Sequence, residues 1–265
     1  MGRASICMVA IAGLLFAARA AAQDMMQHVD VTSPEMVSAE MTRAQVEAAI
    51  AAATSARPAD FTGKKLSGLD LSGLDLSGAV LRAARLNGTK LTDAKLDRAI
   101  LDQAWLLQAD LSRASLKGAS IFAAQMQRAK LDGADLSGAR LAADLTGASL
   151  AGATLIGANL GADMKNQSMG LMRAVLKSAN LEGAILRDAD LARVDLEFAS
   201  LKNADLTNAS LRGAALGGAN LTGARVAGAD FFGADLASAR LVAPIGLDAA
   251  KNFDKAENLQ RLLRE

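Results

Sequence analysis

From Ala59 to Ala243 the apolar positions return every five residues. Leucines stand at 66, 71, 76, 81, 86, 91 and 96, and the same spacing runs from Leu171 to Leu241. Two positions before most of these leucines there is a small residue, usually alanine. Asp or Asn often lies between them, and small or polar residues follow, as in Ala109-Asp110-Leu111-Ser112-Arg113 and Ala134-Asp135-Leu136-Ser137-Gly138. A helix turns about 100° per residue, so positions five apart would wander around its surface. A straight strand has period two, so an odd repeat would send alternate leucines to opposite faces. The pattern closes if Ala and Leu point inward from a short extended segment and the remaining residues turn a corner. Five residues then make one side of a coil.

These repeats, including Ala204-Asp205-Leu206-Thr207-Asn208, resemble the pentapeptide-repeat family. The resemblance implies an all-β solenoid, a right-handed quadrilateral parallel β-helix with four repeats per coil. The central Leu or Phe (i) and the small residue before it (i−2) would face the interior. Leu96, Leu116 and Leu136 should then share one column, with Ala94, Ala114 and Ala134 beside them. At one strand spacing per coil, about nine coils make a rod of about 43 Å. Lys64, Leu69, Leu74 and Thr89 stand at i−2 where Ala is expected, so the first coils should be wider or partly capped; Phe61 and Phe231 take the i position near the ends. The steps Leu141 to Leu145 and Leu160 to Met164 are each one residue short, and Met164 to Leu171 is two long. Leu171 is therefore expected to recover the register of Leu131 and Leu91, with Lys165, Asn166, Gln167 and Ser168 in one irregular loop.

A repeat stack must cover its terminal coils. Thr42 with Gln45 reads as a capping box, Met41 with Val46 as a hydrophobic staple, and Val46, Ala49, Ile50 and Ala53 line one helical face. Asp254 with Glu257, followed by Leu259, Leu262 and Leu263, gives the same kind of signal at the other end, so short α-helical caps are expected at both. Pro58 and Pro244 flank the repeats. Upstream, Arg3, the apolar run Ile6 to Ala18 and Ala20-Ala21-Ala22 read as a secretory signal cleaved before Gln23. The expected organisation is a signal peptide at 1–22, an N-terminal segment with capping helix at 23–58, the β-helix at 59–243 and a C-terminal capping helix at 244–265.

Composition narrows the functional classes. Hydrophobic residues are 51% but aromatics only 3%, so Ala and Leu must fill the core. The net charge is +1, and loss of Arg3 and Arg19 with the leader turns 29 cations against 28 anions into 27 against 28, or −1, which favours neither phosphate binding nor strong acidic mimicry. The single cysteine, Cys7, lies in the leader, in keeping with an oxidising compartment. With His28 the only histidine, no nucleophile and base pair up, and no phosphate loop, dinucleotide fingerprint or zinc spacing occurs. The reading is a non-enzyme with no cofactor, periplasmic or secreted, with no nucleic-acid partner and no stable membrane anchor after cleavage.

Outward positions suggest where a partner sits. Val80, Ile100, Trp105, Leu107 and Phe122 occupy neither i nor i−2, and twenty residues per coil would gather them on two adjoining sides. The preferred function is an exported scaffold binding an unidentified protein, or itself, through the sides of the rod. Two alternatives stand beside it. The family includes quinolone-resistance proteins that imitate DNA and bind gyrase, a reading opposed here by Arg85, Lys90, Lys95, Arg98, Arg113, Lys117, Lys130 and Arg140. The second is copper binding through the thioethers of Met25 and Met26 and the imidazole of His28.

Overall fold

A computed structural model describes residues 33–162 and 172–265. The five-residue unit is built as the pattern requires. In the unit Ala109–Arg113, the Asp110 N–H donates to Thr89 O of the coil before (2.9 Å), while Leu111 and Arg113 donate to Lys130 O and Asp132 O of the coil after (2.7 and 2.9 Å). The Ala114 N–H closes the corner onto Leu111 O at 3.0 Å. With positive φ at Arg113 alone of the two central residues, this is a type II turn. Parallel bridges join residues twenty apart into four columns, which define the sides. Side one runs Asp60, Val80, Ile100, Ser120, Arg140; side two Lys65, Arg85, Trp105, Gln125; side three Asp70, Lys90, Asp110, Lys130; side four Asp75, Lys95, Ser115, Asp135. The i leucines and i−2 alanines of the inner coils are fully buried, each leucine contributing about 1.5–3 kcal/mol by its removal from water.

One N–H per unit, that of residue i+1, remains after this backbone ladder, and it explains the Asp or Asn before the leucine. Asp110 Oδ1 accepts the Ser112 N–H at 3.0 Å, and Asn220 does the same for Thr222 at 3.1 Å. Where serine or tryptophan stands at that place, an acceptor reaches up from the coil before. Asp97 accepts from the Lys117 N–H and the Ser115 hydroxyl (3.1 and 2.5 Å), Asp102 from Phe122 and Ser120 (3.1 and 2.6 Å), and Asn87 from the Leu107 N–H at 3.0 Å.

The breaks in the repeat have different outcomes. The short step after Leu141 keeps the columns, with Asp144 bridging Gln125 and Ala142 and Ala143 buried at the tightened corner. The later step differs from expectation. Asn159 ends side one of its coil and the next bridging residue is Val175, which pairs with Asp144 on side two. Leu176 therefore joins the side of Leu145, not that of Leu136. The columns decide this: residue 175 must present its carbonyl to the Leu145 N–H, which it does at 2.7 Å. The irregular-loop residues Lys165, Asn166, Gln167 and Ser168 lie outside the described residues.

At the N-terminal end the short helix α1 (Pro34–Val37) precedes α2 (Arg43–Ala51), which has both halves of the Thr42–Gln45 capping box. Val46 is buried, and Met41, Ala49, Ile50 and Ala53 pack on the core. The unusual i−2 residues fit this end: Leu69 and Leu74 pack on the core, Lys64 pairs with Glu40 at 3.3 Å, and the buried Thr89 hydroxyl donates to Leu66 O at 3.0 Å.

The C-terminal α-helix does not form. Instead three 3₁₀ turns, η1 (Leu247–Ala249), η2 (Phe253–Lys255) and η3 (Leu259–Arg261), continue the coil with six residues per side, and Ile245, Lys251, Glu257 and Leu263 bridge to the coil before. Leu247, Phe253 and Leu259 cover the core together with Ala250, Ala256 and Leu262, and Phe253 meets Phe231 edge-on at 5.3 Å. Left-handed Gly246, Asn252 and Asn258 open the three turns, a backbone that an α-helix has no place for.

Candidate protein-binding face

The bridge columns bring the five apolar outward residues together. Val80 and Ile100 bridge each other on side one, and Trp105 lies on side two between Arg85 and Gln125. Leu107 follows Trp105 on the same side, and Phe122 lies beside Ser120 on side one, one coil further along. All five are half-buried, leaning on the wall with part of each side chain in solvent. The Arg140 guanidinium sits 4.4 Å from the Phe122 ring centre, so the ring's face is covered by a cation. The arrangement offers an apolar strip on two adjoining sides with a cation at its margin. That chemistry suits contact with another macromolecular surface.

Around this strip the charges alternate. Asp70, Lys90, Asp110 and Lys130 succeed one another up side three, and ion pairs link neighbouring coils, including the two-pronged Arg113–Asp93 contact at 2.8 and 2.7 Å. Hydrogen bonds hold several carboxyls below the ordinary aspartate range. For Asp70 and Asp75 the main causes are Ser72 and Ser77. At Asp110 burial pulls the other way but is outweighed by Ser112 and, more weakly, by Lys130. The Glu197 carboxylate raises the Lys177 ammonium.

Met25, Met26 and His28 lie outside the described residues. Among the described residues no group of three or more His, Cys, Asp or Glu side chains is placed to hold a metal ion, and no helix is long and apolar enough to cross a membrane.

Two aromatic residues beyond the strip stand further into solvent than any member of it. Phe198 is 62% exposed beneath Lys177 and Phe232 is 48% exposed beneath Arg212, at 5.8 and 4.6 Å from the cations. The Phe198 ring lies where a side chain on Gly218 would be, so the corner glycine of the next coil makes room for it. Register holds the signal, because both phenylalanines occupy outward places of the unit, Phe198 two residues after Leu196 and Phe232 one residue after Phe231.

Residues 59–98, 95–138, 123–162, 171–208 and 209–242 match the profile described as "Pentapeptide repeats", in 8 copies. The chain is similar to HetL, a pentapeptide repeat protein involved in heterocyst differentiation regulation from the cyanobacterium Nostoc, at 31% identity over 82% of this chain and 95% of HetL, with a TM-score of 0.35. It is also similar to full-length QnrB1, a plasmid-mediated fluoroquinolone resistance protein, at 20% identity over 75% of this chain and 87% of QnrB1, with a TM-score of 0.39. A pentapeptide repeat protein of the Arabidopsis thaliana thylakoid lumen shares 26% identity over 51% of this chain and 66% of its own, with a TM-score of 0.17. No curated protein matches.

Proposed function

The chain belongs to the pentapeptide repeat family, and from that premise we propose that it is a non-catalytic, exported solenoid. It binds a protein partner, or a second copy of itself, through the sides of a right-handed rod of about nine coils. The observation that carries this reading is the strip of Val80, Ile100, Trp105, Leu107 and Phe122 on two adjoining sides. Trp105 is its anchor, because a large ring with an N–H at one edge binds through both apolar area and a hydrogen bond. The gyrase-type alternative needs an uninterrupted acidic column, and the alternation of Asp70, Lys90, Asp110 and Lys130 speaks against it. Copper binding through Met25, Met26 and His28 rests on donor chemistry alone, and a stoichiometric Cu(I) complex lost on replacing all three would establish it.

The double variant Trp105→Ser/Phe122→Ser tests the main reading. It should melt within about 1 kcal/mol of the parent, since neither ring fills the interior, yet lose self-association in sedimentation or the partners that the parent retains. Unchanged association and partners would remove the strip from consideration.

A further inference from the structure

We propose that the N-terminal end of the rod carries a second, independent binding site, which takes an extended peptide as an added strand on side four of the first coil. Along the wall, each coil's residue before the leucine and residue after it offer carbonyls to the preceding coil. Leu76 and Gly78 donate to Lys95 O and Asp97 O in this way, at 2.7 and 2.8 Å. The first coil has no predecessor, and the N-terminal segment substitutes for one on two sides. Arg43 Nη1 and Nη2 donate to Asp70 O and Ser72 O of side three at 2.9 and 3.2 Å, and the Glu40 N–H donates to Lys65 O of side two at 2.8 Å. On side four the equivalent carbonyls, Asp75 O and Ser77 O, receive no donor among the described residues.

That open pair lies in a groove of about 510 Å³ whose other wall is formed by Ile50 and Ala53 at the end of α2, with Pro58 below and Arg98 at the rim. The repeat itself specifies the occupant. In every inner coil the N–H groups of a leucine and of the residue two after it meet such a carbonyl pair, in parallel register, so an extended peptide with one apolar residue can do the same here. Charge then selects among peptides. The residue before the apolar one would lie beside the exposed Asp75 carboxylate, as Lys95 does from the other side at 3.8 Å, and favours a cation. The residue two after it would lie at the corner below Gly78, towards Arg98, which has no carboxylate partner among the described residues. An acidic residue there faces Arg98 across the side-chain-free corner of Gly78, two coil spacings away and within reach of a long guanidinium side chain. The ligand class is therefore an extended peptide of the form cation, leucine, small residue, acid.

The chain's own Thr89-Lys90-Leu91-Thr92-Asp93 has this form, so the N-acetylated, C-amidated pentapeptide of that sequence is the probe. Titrated into the full chain, it should bind with a dissociation constant in the range of about 0.1–1 mM. Methylating the leucine amide, which removes the donor to Asp75 O, should abolish binding, and exchanging Lys and Asp in the peptide should weaken it about tenfold. Arg98→Gly, compatible with the left-handed backbone at that corner (φ 57°), should also weaken it about tenfold while leaving the melting curve in place. No binding at several times that concentration, or binding indifferent to methylation, overturns the proposal. Binding that appears only after residues 23–32 are removed, or self-association through this end without peptide binding, overturns it in favour of the chain's own segment or a second copy as occupant. None of these outcomes depends on Trp105 or Phe122.

Discussion

At the scale of the residue, the aspartate before the leucine acts as a backbone acceptor first and a surface charge second. Asp110 takes the one N–H that the coil ladder leaves over, and Asn does the same work at 159, 180 and 220. Asp110→Asn should therefore match the parent near neutral pH, whereas Asp110→Ala should cost about 1 kcal/mol for the unpaired N–H. The two differ further in acid. The folded carboxyl is held below its ordinary value, so its contribution is present above the unfolded pKa of about 3.9 and is lost as the pH falls through the folded value. Urea midpoints measured from pH 7 to pH 3 should show the parent losing its margin over Asp110→Ala below about pH 4, while Asp110→Asn keeps that margin. Equal stability of the Ala and Asn variants across the range would mean that the hydrogen bond contributes nothing.

At the scale of the element, the two ends close the same stack by different means. A capped helix and Arg43 meet the open carbonyls at one end, while at the other a six-residue coil meets the open N–H groups, with Phe231 N–H donating to Lys251 O and Leu236 N–H to Glu257 O. The left-handed openings of its turns make the C-terminal coil testable. Asn258→Ala would strengthen an α-helix, but at φ 58° it should cost about 1 kcal/mol. Gly246→Ala should cost more, about 2 kcal/mol, because the left-handed strain adds to a Cβ that would press on the backbone and Cβ of Ala227. Thermal melts should rank the parent above Asn258→Ala, and that above Gly246→Ala; a gain in stability from Asn258→Ala would restore the helix.

At the scale of the whole molecule, each coil touches only its neighbours, so the rod offers long sides for contact. Ala and Leu supply the interior almost alone, which leaves aromatic residues free for the surface, where Trp105, Phe122, Phe198 and Phe232 all stand. The export proposal belongs to this scale. Protein isolated from its native cell should begin near Gln23 and be found outside the cytoplasm. An intact Met1 start in the cytoplasm would overturn export and return the gyrase-type reading to contention.

The inward and outward assignment was legible in the sequence, because whether a side chain faces the core depends on its place within five neighbouring residues. The corners, the N-terminal capping box and the outward position of Trp105 followed from the same local rule. The sequence did not reveal which side Val175 takes. Inter-coil hydrogen bonds decide that, and Val175 answers to Leu145, thirty residues earlier. Nor did it separate the C-terminal coil from a helix, since the spacing of Leu259 and Leu262 satisfies both periods, while Leu263, inward in a helix, is 46% exposed on the coil; only the coil beneath, with its row of unpaired N–H groups, selects the six-residue turn. The open carbonyls of Asp75 and Ser77 were likewise invisible, because an edge exists only once the stack has been built.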